Sequence, residues 1–152
     1  MTRKAIEVLS EDPDGFFLLV EEEGMDSMGH VRNATLMLEA GRALDRSVKV
    51  ARDFAEDDGD TLLIVAGDHE CCGLSVERPD EGGGAEGGDD GPFPVANSDG
   101  EFVLDYSTSD HTAVDVPLTA MGPGAERLEG IYENTFIYRA MVRSMGLDAA
   151  AS

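Results

Sequence analysis

Two short apolar runs interrupt an otherwise mixed pattern, Phe16–Val20 (FFLLV) and Leu62–Val65 (LLIV). Turn-forming or acidic residues bound both. Pro13-Asp14-Gly15 and Glu21-Glu22-Glu23-Gly24 flank the first, Asp57-Asp58-Gly59-Asp60 and Gly67 the second. Runs this short without polar interruption predict strands buried on both faces. Between them the period changes to that of a helix. Leu36, Ala40, Ala43, Leu44, Val48, Ala51, Phe54 and Ala55 fall on one stripe over 31–57, and Gly59 sits where a C′ glycine belongs. Strand, helix, strand predicts a right-handed βαβ unit with parallel strands. Its strand ends lie on one side of the sheet, bringing the segment after Val20 towards Asp68 and His69.

The remaining pattern is less regular. Thr2–Leu9 predicts a short helix with Thr2 as N-cap, and Leu74–Glu77 and Phe102–Tyr106 predict strands. Val116–Met121 predicts another strand, closed by Gly122-Pro123-Gly124. Asn134–Met145 predicts a final helix with Asn134 as N-cap and Gly146 past its end. The stretch PDEGGGAEGGDDG at 79–91 is too rich in glycine and acid to build a core. The expected organisation is one α/β domain over 1–147, with a flexible Gly/Asp-rich insertion at 79–100 and a tail at 148–152. A chain of 152 residues is long enough for one such core.

Charge narrows the partners. There are 32 acidic residues against 11 basic ones, a net charge of −21, and lysine occurs only at Lys4 and Lys49. Such a surface repels nucleic acid and anionic membrane, so neither is expected as a partner. It fits a halophilic setting, where salt screens the field within a few ångströms. No apolar run is long enough to span a bilayer, and Met1-Thr2-Arg3-Lys4 leads into an amphipathic pattern rather than a signal peptide. The two cysteines, Cys71 and Cys72, are neighbours, a spacing that suits neither a disulfide nor a zinc finger. A small buried role is expected of them, with thiolate ligation the alternative.

The three histidines each stand near an aspartate: Asp26 and His30 in MDSMGH, Asp68-His69, and Asp110-His111 in TSDHT. One such pair is ordinary surface chemistry. Three pairs, all just beyond predicted strand ends, point to metal, because imidazole and carboxylate together are a normal zinc ligand set. Glu21 directly follows a predicted buried strand, where a carboxylate suits a hard ion such as magnesium. Glu22 and Glu23 read as a solvated acidic run.

These residues carry a resemblance. GFFLLVEEEGMDSMGH, GDTLLIVAGDHECCGLSV and STSDHTAVDVPLTAMGPGAERLEGIYENT resemble, in order and over nearly the whole chain, three motifs of the alkaline phosphatase family. The resemblance implies a partial alkaline-phosphatase-like α/β sandwich, with a mainly parallel sheet flanked by helices. It also implies hydrolysis of phosphate monoesters. By position, Asp26, His30 and His111 would hold a first zinc, Asp68 and His69 a second, and Glu21 a magnesium. The family reaction runs through a phosphoserine, formed and hydrolysed between two zinc ions.

Departures from the pattern shape the expectation as much as the matches. The family's Asp-Ser-Ala nucleophile motif does not occur; Ser27 follows Asp26, but Met28 comes next. The chain resembles the C-terminal third of a complete enzyme, so the serine is expected from an N-terminal half or an upstream chain. A homodimer is the other partner the family admits. Family members are commonly periplasmic or extracellular. Ala66-Gly67 replaces Thr-Ala, Cys71-Cys72 replaces Thr-Gly, and Asp110 replaces a glycine. Two other readings stay open: an inactive metal-binding remnant, and another metal-dependent phosphomutase or sulfatase-superfamily hydrolase.

Overall fold

The computed structural model describes residues 1–79 and 90–147; most of the glycine-rich stretch (80–89) and the 148–152 tail lie outside the described residues. The chain divides into two compact units. One holds residues 1–17, 47–67 and the described part of 117–152, and the other holds 18–46 and the described part of 68–116.

The first unit begins with α1 (Thr2–Leu9), which buries Thr2 and Ile6. Its cap is Met1 rather than the expected Thr2. The Met1 carbonyl already accepts the N–H groups of Lys4 (2.9 Å) and Ala5 (3.1 Å), so the helix starts one residue early and leaves Thr2 inside its first turn. Strand β1 (Leu63–Ala66) pairs antiparallel with the later strand Leu118–Met121, from Leu63 opposite Met121 to Ala66 opposite Leu118. A 3-10 turn at Ala125–Leu128 follows that strand, and the chain then enters the helix Thr135–Ser144. Asn134 occupies the N-cap position without a side-chain bond, and Gly146 (φ 68°) lies past the end. Gly122 is required where it stands. Its φ is 91°, and a Cβ there would run into the Thr61 carbonyl.

In the second unit two helices come first. Helix α2 (Gly24–His30) was not legible as an apolar stripe, because GMDSMGH carries none. The Glu22 carboxylate starts it by accepting the Gly24 N–H at 2.9 Å. Helix α3 (Ala34–Asp58) begins in this unit, where the Asn33 side chain accepts the Leu36 N–H at 3.1 Å, an N-cap bond. It ends in the first unit at Gly59, whose φ of 76° and N–H to the Ala55 carbonyl (3.0 Å) satisfy the expected glycine stop.

Strands β2 (Leu74–Glu77), β3 (Phe93–Pro94) and β4 (Glu101–Tyr106) form an antiparallel sheet with β4 in the centre. The strand Leu118–Met121 is therefore β5. Ala34 and Met37 of α3 pack with Cys72, Leu104 and Tyr106 in a buried cluster, lined by Met28, Cys71, Phe93 and Phe102. Beyond the ends of β2 and β4 the ladder continues. Cys72 donates its N–H to the Asp110 carbonyl (3.1 Å), and Thr108 donates to the Cys72 carbonyl (3.1 Å).

Two expectations fail. Phe16–Val20 forms no strand: Phe17 is 56% exposed and Leu19 77%, and no described segment offers it a ladder. The βαβ unit and its parallel sheet fail with it, since every strand pair among the described residues is antiparallel. An apolar run predicts that a segment can be covered; it does not say by which partner or in which direction. For the same reason β1 is half-buried rather than covered on both faces.

Candidate metal centre

The second unit brings most of the singled-out residues to one place. Helix α2 sets Asp26 and His30 one turn apart on a shared face, with His30 Nε2 3.3 Å from Asp26 Oδ2. They therefore sit on a helix, not beyond a strand end as expected. The chain leaves α2 through Arg32 (φ 51°), and the Asn33 N–H closes back on the Met28 carbonyl at 2.9 Å. His111 arrives from the segment after β4, whose path is fixed by the bonds to Cys72. Its Nε2 lies 3.1 Å from His30 Nε2 and 3.1 Å from Asp26 Oδ1.

Hydrogen bonding sets the donor atoms. His30 Nδ1 is 2.8 Å from the Ser109 carbonyl, which can only accept. In the neutral ring the proton is therefore on Nδ1, and the Nε2 lone pair faces Asp26 and His111. A carbonyl fixing the tautomer from behind is the usual support for a metal-ligating histidine. Burial pushes the Asp26 carboxyl pKa up, but the Cys71 thiol and the imidazoles of His30 and His111 outweigh it and hold Asp26 below the ordinary carboxylate range. Asp26, His30 and His111 are between one third and one half exposed, so an ion can reach them.

The donor set fits zinc. Bonds of about 2.0–2.1 Å at tetrahedral angles place neighbouring N and O donors about 3.3 Å apart. His111 Nε2 stands 3.1 Å from His30 Nε2 and 3.1 Å from Asp26 Oδ1, and His30 Nε2 stands 3.3 Å from the other carboxylate oxygen, Oδ2. For Cys71 the alternative role, thiolate ligation, is the one its position suits. Its Sγ belongs with Asp26, His30 and His111 to a group of donor atoms all within 4.8 Å of one another. The expected buried role does suit Cys72, which is fully buried in the core.

A second pair stands beside the first. His69 Nε2 is 3.2 Å from Asp68 Oδ2, its Nδ1 is 3.2 Å from the Glu70 carbonyl, and its ring stacks on His111 with centroids 3.6 Å apart. Glu70, unremarked in the sequence, ties this pair to the first. Its carboxylate accepts the Gly73 and Leu74 N–H groups, both at 3.0 Å, and the Thr112 hydroxyl. The Thr112 bond first, and the two backbone bonds with it, outweigh burial and hold its pKa below the ordinary range. Glu70 adjoins His69 in sequence and Thr112 adjoins His111, so one carboxylate joins the segments that carry the two rings. Glu21 is exposed, three residues ahead of α2, and outside the four-residue cluster.

Residues 1–88 match the sequence profile of alkaline phosphatase. The chain belongs to the alkaline phosphatase family. It is 31% identical to the alkaline phosphatase of Escherichia coli K12, over 97% of this chain and 31% of that protein. It is 34% identical to the streptomycin-6-phosphate phosphatase of Streptomyces griseus, over 88% of this chain and 30% of that one. Among solved structures it is similar to the alkaline phosphatase of the Antarctic bacterium TAB5, with a TM-score of 0.80 and 31% identity over 95% of this chain and 39% of that one. A variant of the same enzyme with Mg bound in its M3 site matches with a TM-score of 0.79. This alkaline phosphatase family chain thus spans about a third of the length of these curated relatives.

Proposed function

We propose that this chain is the metal-holding part of an alkaline-phosphatase-type phosphate monoester hydrolase. The observation that carries the proposal is the convergence of Asp26, His30 and His111 within 3.3 Å, with the His30 tautomer locked by the Ser109 carbonyl. Asp26, His30 and His111 would hold a first zinc, and Asp68 with His69 a second. Glu21 would lend a carboxylate to magnesium, the ion carried by the TAB5 variant. When bound, such ions supply Lewis-acid stabilisation of the charge that develops on a transferring phosphoryl group.

The chain's own residues do the positioning. The α2 turn holds Asp26 and His30 in register, and the Ser109 carbonyl keeps the His30 proton away from the site. Glu70 fixes the loops that carry His69 and His111. The carboxylates of Asp26 and Asp68 offset cationic charge in a chain that is already strongly acidic. None of the 152 residues forms the family's Asp-Ser-Ala motif, so the attacking serine is assigned to a segment outside this sequence. Losing the nucleophile from a set of groups that act together removes most of the rate.

The test is metal analysis of the purified chain together with phosphate release from an aryl phosphate, in molar salt with zinc and magnesium. We expect bound zinc, lost in His111→Ala, and no more than residual hydrolysis. Zinc content equal in both proteins overturns the first site. Family-like turnover by the chain alone overturns the assignment of the nucleophile elsewhere.

A further inference from the structure

The geometry points to Cys71 as a fourth protein donor, which makes the Asp26–His30–His111 centre of this chain a closed Asp-His-His-Cys zinc site. The inference rests on the metal reading above and adds to it the identity of the last ligand. The Cys71 sulfur stands with the three other donor atoms inside a 4.8 Å group, and its thiol lies 3.7 Å from the Asp26 carbonyl oxygen. At tetrahedral angles, zinc bonds of about 2.3 Å to sulfur and about 2.0–2.1 Å to nitrogen set those donors about 3.5 Å apart. The 4.8 Å bound on the group is at most about 1.3 Å wider than that spacing, so closing it takes a side-chain movement no larger than that.

The surroundings leave room for that sulfur. Position 29 of α2, just before His30, is glycine, and a Cβ there would stand 3.1 Å from the Cys71 sulfur. The backbone beneath Cys71 is pinned on its other side, because Cys72 is fully buried and exchanges N–H···O bonds with the 108–110 segment that carries His111. Cys72 is not the donor. Its sulfur approaches His30 at Nδ1, 3.8 Å away, and that nitrogen already serves the Ser109 carbonyl. Ligation by Cys71 replaces the thiol proton with the metal and releases the proton to water.

Chemistry follows from the fourth donor. Three protein ligands leave a position for water or substrate, whereas four close the shell, as in structural zinc sites. A thiolate also selects zinc or cobalt over magnesium. The first centre would then fasten α2 to the segments carrying Cys71 and His111, and would not itself bind phosphate. In the hydrolase proposed above, contact with the phosphoryl group would then fall to the ion held by Asp68 and His69.

The experiment uses one equivalent of metal on the full chain, its Cys71→Ser variant and its Cys72→Ala variant. X-ray absorption of the zinc form should show one sulfur neighbour at about 2.3 Å in wild type and Cys72→Ala. Cys71→Ser should lose that neighbour and bind zinc at least about tenfold more weakly, given what even outer partners of a metal site contribute. Cobalt(II) should give a thiolate charge-transfer band in the first two proteins and none in Cys71→Ser. Zinc held by nitrogen and oxygen alone in wild type overturns the thiolate while leaving the metal reading intact. A sulfur neighbour that survives Cys71→Ser overturns the assignment to Cys71. No metal bound by any of the three proteins removes both readings.

Discussion

His111 is the residue on which the first centre turns, because its Nε2 lies 3.1 Å from both His30 Nε2 and Asp26 Oδ1. In metal-free protein its replacement by alanine removes little. Its contact with Asp26 is part-exposed, with side chains 42% and 34% accessible, and even a charged pair so placed contributes only about 0–1 kcal/mol. Asp26 and His30 keep their own contact at 3.3 Å. With zinc present the difference grows. Free zinc at a hundred times its dissociation constant stabilises a folded site by about 2.7 kcal/mol. A lost ligand weakens binding by at least the roughly hundredfold upper range seen for outer partners, leaving about 0.4 kcal/mol at the same zinc concentration. For a chain near 150 residues, the missing stabilisation of about 2.3 kcal/mol corresponds to about 5–9 °C in melting temperature. Thermal melts of wild type and His111→Ala, with chelator and with zinc in molar salt, provide the measurement. Equal zinc-dependent shifts refute the site, and a loss of several kcal/mol under chelator refutes the claim that His111 serves the metal rather than the fold.

Three further outcomes follow from particular groups. Leu104 is 2% exposed at the middle of the central strand, so Leu104→Ala should cost about 3–5 kcal/mol, while Val76→Ala, 68% exposed on β2, should stay within about 0.5 kcal/mol; urea midpoints at unchanged m decide. Glu70 has a lowered folded-state pKa, so its stabilisation is fully present above its unfolded value of about 4.3 and is lost as pH falls through the lower folded value. Glu70→Gln should therefore be less stable than wild type near neutrality and converge with it at the acid end, and parallel pH curves would sink the argument. With a net charge of −21, the urea midpoint should rise between 0.1 and 1 M salt as the screening length falls from about 10 to about 3 Å, and equal stability at both would remove the halophilic reading.

What could be read in the sequence depended on whether the signal was local. Strand β2 and the glycine stop at Gly59 were legible because a few adjacent residues determine each. The long helix was legible from its stripe. Helix α2 was not, because two glycines and a run of polar and methionine residues give no stripe, and a carboxylate bond from Glu22 begins it. Strand direction was not legible either, since β1 meets β5 across more than fifty residues. The ligand residues were named from motif and charge, but their gathering depends on bonds between Cys72 and the 108–110 segment that no spacing reveals. Glu70 was missed, and thiolate ligation by Cys71 stood only as the alternative, for one shared reason. Each acts on something distant in the chain, Thr112 for one and Asp26 for the other.

That distance also explains why the metal centre and the core should respond to the same perturbation. Cys71 stands in the donor group, and its neighbour Cys72 packs against Leu104 in the core. The Cys72 N–H holds the Asp110 carbonyl, one residue before His111. A cavity at Leu104 therefore loosens the backbone from which two donors project, while Asp26 and His30 keep their places on α2. Residues in one packed network show coupling energies of about 0.5–3 kcal/mol. Leu104→Ala should accordingly bind zinc more weakly than wild type under conditions where both are fully folded, by a factor between a few-fold and about a hundredfold. Val76→Ala, exposed on the same sheet, should leave affinity unchanged. Identical zinc affinities in Leu104→Ala and wild type would mean that α2 and the His111 segment hold the ion without help from the core, and the claim that the ladder beyond β4 builds the site would fall.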